Sequence, residues 1–173
     1  GIAALFVLFT TFISLFSIKK DTITIGSKIF TEQLIFGNMY AVLVEAKSAL
    51  NVQRKFYLGG TSVALGAFQS GDLDMYADYT GTLLLSVMKE QPIKDKEKSF
   101  EHIKDVMNTK YGLTLLDPIG FNNTYTLAMM PDVAKKYNIN TLSDLAKHSK
   151  DFTLSPTIEF ENREDGLVGL SKT

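Results

Sequence analysis

A repeated order of short strand, glycine turn and helix most limits what this chain can fold into. Residues 22–25 alternate polar and apolar β-branched side chains and then meet Gly26, which is the pattern of a strand that enters a turn. Further strands are predicted at 52–58 and 73–76. Helices are predicted at 31–50 and from Thr61, as the N-cap, to Gly71. Strands and helices that alternate in this way predict an α/β sheet.

The predicted helix at 31–50 shows the clearest hydrophobic periodicity of the chain. Apolar residues recur there at steps of three and four, which gives one apolar stripe of the kind that faces a protein core. The members of the stripe are Leu34, Ile35, Met39, Val42, Leu43 and Ala46. The charged side chains of the segment fall elsewhere, so the periodicity favours a helix over a strand.

Helix-end signals and apolar runs predict regular structure in the second half as well. A helix is expected at 99–111, and strands are expected at 113–116 and 124–130. Pro131 suits the first turn of a helix that runs through Tyr137. Thr141 together with Asp144 predicts a capping-box start for a further short helix.

The first eighteen residues, 1–18, carry no charged side chain and are rich in leucine, isoleucine and phenylalanine. A run of this length is long enough to cross most of a bilayer, and a transmembrane helix is the favoured interpretation. An uncleaved or clipped signal and a buried soluble helix remain alternatives. A typical secretory signal begins with Met and a basic region, whereas this run begins at Gly1.

Charge and cysteine content exclude several classes of protein. Eighteen basic and nineteen acidic side chains give a net charge of −1, and no stretch is dense in Lys or Arg, so we expect no nucleic-acid partner. The chain has no cysteine, which excludes disulfides, thiolate metal sites and a cysteine nucleophile.

Motifs for metal binding and catalysis are weak. Asp72, Asp74 and Asp78 are close in sequence, but no His or Glu joins them at the spacing of metal ligands. The run from Gly60 to Ala64 approaches a nucleophile elbow but ends in alanine, and neither histidine is placed to complete a triad. No nucleotide-binding glycine motif occurs. We therefore expect no metal, no cofactor and no enzyme activity.

Four segments of this chain recur together, at matching separations, in one family of proteins. They are Gly26-Ser27-Lys28, Tyr79-Thr80-Gly81-Thr82, Phe121-Asn122-Asn123-Thr124-Tyr125 and Arg163-Glu164-Asp165-Gly166. From about Thr22 to Thr173, the chain resembles the substrate-binding proteins of osmoprotectant ABC transporters, which capture glycine betaine, carnitine, choline and related quaternary amines. The resemblance implies an α/β, type II periplasmic-binding-protein-like fold of two lobes.

The same resemblance implies how the chain is organised. A transmembrane or signal-like segment is expected at 1–20, a first lobe at 21–120 and the start of a second, truncated lobe at 121–173. Some relatives carry the binding protein fused behind the permease, and a chain that begins without Met suits such a fusion. The implied partners are a small quaternary-ammonium ligand, the permease and ATPase subunits, and the membrane through residues 1–18. The binding domain is expected on the extracytoplasmic face.

The resemblance also assigns a cation site. In relatives, the tyrosines that correspond to Tyr79 and Tyr125 form part of an aromatic cage, which attracts a trimethylammonium group through cation–π interaction. Asn123 stands where some relatives have aspartate, so the charge of that aspartate is missing here or comes from elsewhere. Taken alone, the two tyrosines also suit ordinary core positions with a tethered hydroxyl group.

A carboxylate site is implied at the other end of the ligand. Lys28, Thr82 and Arg163 correspond to residues that are positioned in some relatives to hold a carboxylate, and glycine turns at helix starts favour anions. Taken alone, Arg163 also suits an exposed loop arginine that pairs with the acidic residues around it.

Two alternative functions stay open. Arg163-Glu164-Asp165-Gly166 and the possible fusion to a permease also resemble the binding domains of ergothioneine uptake systems, whose ligand is a larger trimethylammonium betaine. An enzyme on a similar two-lobe scaffold is the alternative from another class, but the sequence offers no convincing general base.

Overall fold

The computed structural model describes residues 21–172. The chain divides into two compact units, with the boundary between Ala77 and Asp78. The lobe boundary between residues 120 and 121 remains a prediction. The apolar segment at 1–18 lies outside the described residues. Between 21 and 172, no helix has both the length and the apolar character needed to cross a membrane.

The first unit is built on a parallel β-α-β arrangement. Its elements are β1 (Thr22–Gly26), α1 (Thr31–Lys47), β2 (Asn51–Lys55) and α2 (Thr61–Gln69). The two strands pair in parallel, with Thr22 opposite Asn51 and Gly26 opposite Lys55. Parallel neighbours need a long crossover connection, which α1 supplies. The predicted α/β character is confirmed for this unit.

β2 is shorter than the predicted strand at 52–58. The strand ends at Lys55, and Tyr57 has a φ of 60°, in the left-handed region that an extended strand does not use. The Leu58 N–H donates to the Ser27 carbonyl at 3.1 Å. The turn after β2 is therefore tied to the turn after β1.

The predicted third strand at 73–76 is wrong in extent, since it contributes only an isolated parallel bridge between Met75 and Ile25. The Gly26 N–H donates to the Met75 carbonyl at 2.8 Å. Next to this bridge, the Thr24 N–H donates to the Asp74 carboxylate at 2.6 Å. A side chain thus takes a ladder position that a backbone carbonyl would fill in a longer strand.

The face of α1 that packs inward differs from the predicted stripe. Its buried residues are Gln33, Gly37 and Ala41, whereas members of the stripe such as Met39 and Val42 are more than half exposed. The helix lies close to its neighbours at Gly37, where a Cβ would come within 2.7 Å of the Phe56 ring. Small residues allow this close approach, and a row of large apolar side chains would prevent it.

The second unit is largely helical within the described residues. Its elements are α3 (Thr80–Thr82), a π-helix (Leu83–Val87), α4 (Lys96–Tyr111), α5 (Pro131–Lys136), α6 (Leu142–Lys147), a 3-10 turn (Ser149–Asp151), α7 (Ile158–Glu161) and α8 (Leu167–Leu170). Leu83 and Leu84 of the π-helix pack with Ile103 and Met107 of α4 to form a buried cluster. The start of α5 at Pro131 and the capping box at the start of α6 are confirmed.

The predicted strands at 113–116 and 124–130 are wrong, since neither segment has strand structure. A strand needs a hydrogen-bonded neighbour, and the sheet of the described residues contains β1 and β2 only. Leu113 and Leu115 nevertheless pack against the buried cluster of the second unit. The apolar run at 113–116 therefore reflects packing against this cluster, and it carried no information about a pairing partner.

Candidate functional site

The segment 79–82 opens the helical part of the second unit. Tyr79 is the N-cap of α3 with an extended backbone, and its N–H donates to the Asp78 carboxylate at 2.8 Å. Thr82 ends α3 and is only 5% exposed. The π-helix follows directly, with the Met88 N–H donating to the Leu83 carbonyl at 2.9 Å. π-Helical turns are rare and often occur at functional sites.

Arg163 joins two of the predicted site segments. Its Nε and Nη2 atoms donate to the two carboxylate oxygens of Asp165, each at 2.8 Å. Its Nη1 atom donates to the Thr82 hydroxyl at 3.0 Å. The side chain of Arg163 is 7% exposed, so the interpretation as an exposed loop arginine is wrong. Thr82 and Arg163, which are far apart in sequence, are in direct contact.

A second carboxylate lies close to the same guanidinium. Glu159 of α7 places an oxygen 3.8 Å from Nη1 of Arg163. Burial alone would lower the pKa of Arg163, but the hydrogen bonds to Asp165 and the nearby acidic groups raise that pKa above its ordinary value. Arg163 therefore stays cationic. Because one guanidinium faces two carboxylates, these three side chains together carry a net negative charge.

The ring of Tyr125 lies against this charged group. Its centroid is 5.3 Å from Cζ of Arg163, which is within the range of cation–π attraction. The Phe160 ring packs edge-on at 4.7 Å between centroids. Burial raises the pKa of Tyr125, and Arg163 acts in the opposite direction. Tyr125 remains 47% exposed, so part of the ring is accessible to a ligand.

Two other residues that were predicted to bind the ligand differ in exposure: Asn123 is exposed and Lys28 is buried. Asn123 lies in the second unit. Lys28 belongs to the first unit and is 1% exposed, and its ammonium donates to the Thr61 hydroxyl at 3.1 Å. The prediction that Thr61 is the N-cap of α2 is wrong by one residue, because the N-cap is Gly60.

Gln33 is a further buried polar residue of the first unit. Its side chain is 1% exposed. Among the described residues, neither its amide oxygen nor its amide nitrogen has a hydrogen-bond partner. Buried polar groups are almost always hydrogen-bonded. If the amide is unpaired in solution as well, it lowers the stability of the first unit.

Sequence reasoning assigned no role in the site to three residues around Arg163. Asp165 was expected only as one of the acidic residues that surround an exposed Arg163. Glu159 precedes Arg163 by four residues, a spacing that brings side chains together on a helix, so this pair had a usable signal. Phe160 had none, because its ring contact with Tyr125 joins residues that are distant in sequence.

Comparison with known proteins places these residues in a family. Residues 21–173 match the substrate binding domain of ABC-type glycine betaine transport systems. The carnitine transport binding protein OpuCC of Listeria monocytogenes is 38% identical over 156 residues, which cover 89% of this chain and 51% of that protein. The ergothioneine transport permease/ergothioneine binding protein EgtU of Helicobacter pylori (strain G27) is 36% identical over 157 residues, which cover 90% of this chain and 28% of that protein.

A solved structure gives the same result for the fold. The crystal structure of a glycine betaine/carnitine/choline ABC transporter protein matches with a TM-score of 0.62 at 32% identity, over 89% of this chain and 57% of that chain. This likeness supports the predicted type II periplasmic-binding-protein-like fold. The chain spans about half the length of the Listeria protein. The family consists of transporter substrate-binding proteins rather than enzymes, and this chain belongs to it, as a substrate-binding domain of the ABC-type glycine betaine transport family.

Proposed function

We propose that this chain captures a quaternary-ammonium osmoprotectant of the glycine betaine, carnitine and choline class for uptake by an ABC transporter. The observation that carries the proposal is the contact of Arg163 with Thr82 beside the half-exposed ring of Tyr125. Hydrogen-bond donors and an aromatic face, the two things that a trimethylammonium carboxylate requires, thus come from three distant segments of one unit.

The donors suit the carboxylate end of such a ligand. The hydrogen bonds to Asp165 and Thr82 use three of the five N–H groups of the Arg163 guanidinium, which leaves two for a ligand. The Thr82 hydroxyl accepts a hydrogen bond from Arg163, so its own proton can be donated to a ligand. Hydrogen bonds between a guanidinium and a carboxylate are about twice as strong as neutral ones. Lys28 is proposed as a further ligand-binding residue on the family resemblance.

The aromatic residues suit the cationic end. A trimethylammonium group has no conventional hydrogen bond to donate, so attraction to a ring face, worth about 0.5 to 2 kcal/mol per ring, replaces it. Tyr125 and Tyr79 are the proposed rings, and Asn123 is a further proposed ligand-binding residue.

The remaining parts of the proposal concern location and assembly. The family is one of extracytoplasmic binding proteins, and we place the ligand site of this chain on that face of the membrane, with residues 1–18 as the anchor and a permease and an ATPase as partners. A second lobe that begins near residue 121 would close on the ligand by a hinge motion, in which contacts from both lobes favour the closed state. These points rest on the family and on the sequence.

Ergothioneine is a second candidate ligand. The observation that favours it is the 36% identity to a Helicobacter pylori protein named as an ergothioneine transport permease and ergothioneine binding protein. Ergothioneine carries the same trimethylammonium and carboxylate groups on a larger body. The choice between the two ligand classes therefore depends on pocket size rather than on the polar residues named above.

Isothermal titration calorimetry of the full-length protein tests the proposal directly. Glycine betaine, carnitine, choline and ergothioneine are titrated separately, and we expect saturable binding of at least one of them. The ligand that binds most tightly identifies the substrate class. Absence of heat with all four ligands, from a protein that unfolds cooperatively, would contradict the proposal.

A pair of variants tests the role of Tyr79 within the same assay. Tyr79→Phe keeps the ring and loses the hydroxyl, whereas Tyr79→Ala loses both. If the ring face holds the cation, Tyr79→Ala weakens binding by about tenfold, which corresponds to the attraction of one partly desolvated ring, and Tyr79→Phe changes it little. Equal losses in the two variants would refute the cage role, provided that both keep the parent's melting temperature.

A further inference from the structure

We propose that Asp165 is a positioning residue that holds Arg163 in place for the carboxylate of the ligand and thereby sets the preference of the site for zwitterions over simple cations. The inference rests on the proposed function and adds a residue to it. Its basis is the two-point contact of Asp165 with the Nε and Nη2 atoms of Arg163, at 2.8 Å each.

This contact fixes the orientation of the guanidinium. A bidentate pair between a guanidinium and a carboxylate has a defined plane, so Asp165 determines where the opposite atom, Nη1, points. In this structure Nη1 donates to the Thr82 hydroxyl at 3.0 Å. Asp165 therefore acts on Thr82 through Arg163.

The backbone keeps Asp165 in position. Arg163 and Asp165 lie in one tight turn, which the Gly166 N–H closes by donating to the Arg163 carbonyl at 3.0 Å. A Cβ at Gly166 would collide with the backbone carbonyl of Phe160, so the turn packs against the end of α7. The carboxylate of Asp165 is thus positioned by a hydrogen-bonded turn that packs against α7.

Glu159 has a second carboxylate towards which the Arg163 guanidinium can turn. Its carboxylate is 3.8 Å from Nη1, too far for a hydrogen bond but close enough to attract the charge. Without the carboxylate of Asp165, Glu159 is the nearby negative charge that remains. We expect the guanidinium to shift towards Glu159, to leave the Thr82 hydroxyl and to lose its place against the Tyr125 ring.

The test compares two ligands that share a trimethylammonium group but differ at the other end. Glycine betaine carries a carboxylate and choline carries a hydroxyl. In the full-length protein, Asp165→Asn should weaken glycine betaine binding by about tenfold or more, as expected for the loss of a charge-assisted hydrogen bond, and should leave choline binding nearly unchanged. The ratio of the two dissociation constants is the readout, because a general loss of folding would change both alike.

Two further variants make the test decisive. Asp105→Asn removes an exposed aspartate of α4 and should leave the ratio at the parent value. Asp165→Glu keeps the negative charge at Arg163, and we expect a ratio between those of the parent and of Asp165→Asn. If Asp165→Asn does not fold, Asp165→Glu alone still decides, since the longer side chain displaces the carboxylate and should lower the preference for glycine betaine.

The outcomes separate this inference from the proposed function. If the parent binds both ligands and the ratio stays unchanged in the Asp165 variants, the positioning role is overturned while the proposed function stands. Tighter binding of glycine betaine by Asp165→Asn would also overturn it, because Asp165 would then act only by neutralising Arg163. A folded parent that binds no trimethylammonium ligand overturns both.

Discussion

Replacement of Gly26 by alanine should destabilise the first unit by a mechanism that the structure defines. A Cβ at this position would lie 2.5 Å from Cδ1 and 2.9 Å from Cδ2 of Leu73. Leu73 is only 2% exposed, so its side chain has no room to swing into solvent. Excess volume in a packed core costs about 1 to 3 kcal/mol, and we expect that loss in the free energy of unfolding of Gly26→Ala.

Thermal and urea denaturation of the chain measure this loss. For a chain of this size, each kcal/mol shifts the melting temperature by about 2 to 4 °C, so Gly26→Ala should melt about 2 to 12 °C lower than the parent. Gly66→Ala is the matched control, because a Cβ at Gly66 meets no atom within 4 Å. Gly66 lies within α2, where alanine should instead stabilise by up to about 1 kcal/mol.

A double-mutant cycle with Leu73→Ala tests whether the clash is the cause. Leu73→Ala alone should cost about 2 to 5 kcal/mol. In the double mutant the new methyl group occupies space that Leu73 has vacated, so the combined loss should be smaller than the sum of the single losses by about 0.5 to 3 kcal/mol. Additive losses, or a Gly26→Ala variant as stable as the parent, would refute the reasoning.

Two further predictions concern buried and capping polar groups. Hydrogen bonds from Lys147, Thr141 and the backbone lower the pKa of Asp144 from 3.8 to about 2. A carboxyl group whose pKa is lowered on folding stabilises the folded state above pH 3.8, and this contribution disappears as the pH falls through about 2. The difference in melting temperature between the parent and Asp144→Asn should therefore shrink between these pH values, and a difference independent of pH would contradict the assignment. Gln33→Leu removes a buried amide that has no hydrogen-bond partner among residues 21–172, and it should raise the free energy of unfolding by about 1 to 3 kcal/mol in urea titrations. The exposed Gln53→Leu should change it little. A destabilised Gln33→Leu would mean that the amide is paired in the folded protein.

The sequence predicted best the features that depend on neighbouring residues. The capping box of Thr141 and Asp144, the helix start at Pro131 and the strand before Gly26 were all found. Each is decided by backbone and side-chain geometry within a few residues. The α/β character of the first unit followed from the order of such local elements.

Features that depend on distant partners were predicted poorly. The segment 124–130 has the composition of a strand but no strand partner in the described residues. The apolar stripe of α1 had the correct period, but the helix packs through Gly37 and Ala41 instead. Periodicity shows which residues share a face of a helix. It does not show which of these faces packs against the rest of the unit.

The candidate site also contains residues that were predicted and features that were not. Thr82, Tyr125 and Arg163 were assigned from the family resemblance, and no spacing rule would have brought them together. Asp165 and the π-helix after Thr82 were missed, because the first depends on the orientation of one side chain and the second on the packing of Leu83 and Leu84 against α4.

The burial of Arg163 has a consequence for work at high salt. Dissolved ions weaken attraction between exposed charges over about 10 Å at 0.1 M ionic strength, but they weaken buried pairs much less. The pair of Arg163 with Asp165 is partly buried, with the arginine 7% and the aspartate 33% exposed, so dissolved salt weakens it less than a fully exposed pair. A site built around this pair should therefore lose less affinity as ionic strength rises than a site built on fully exposed charges.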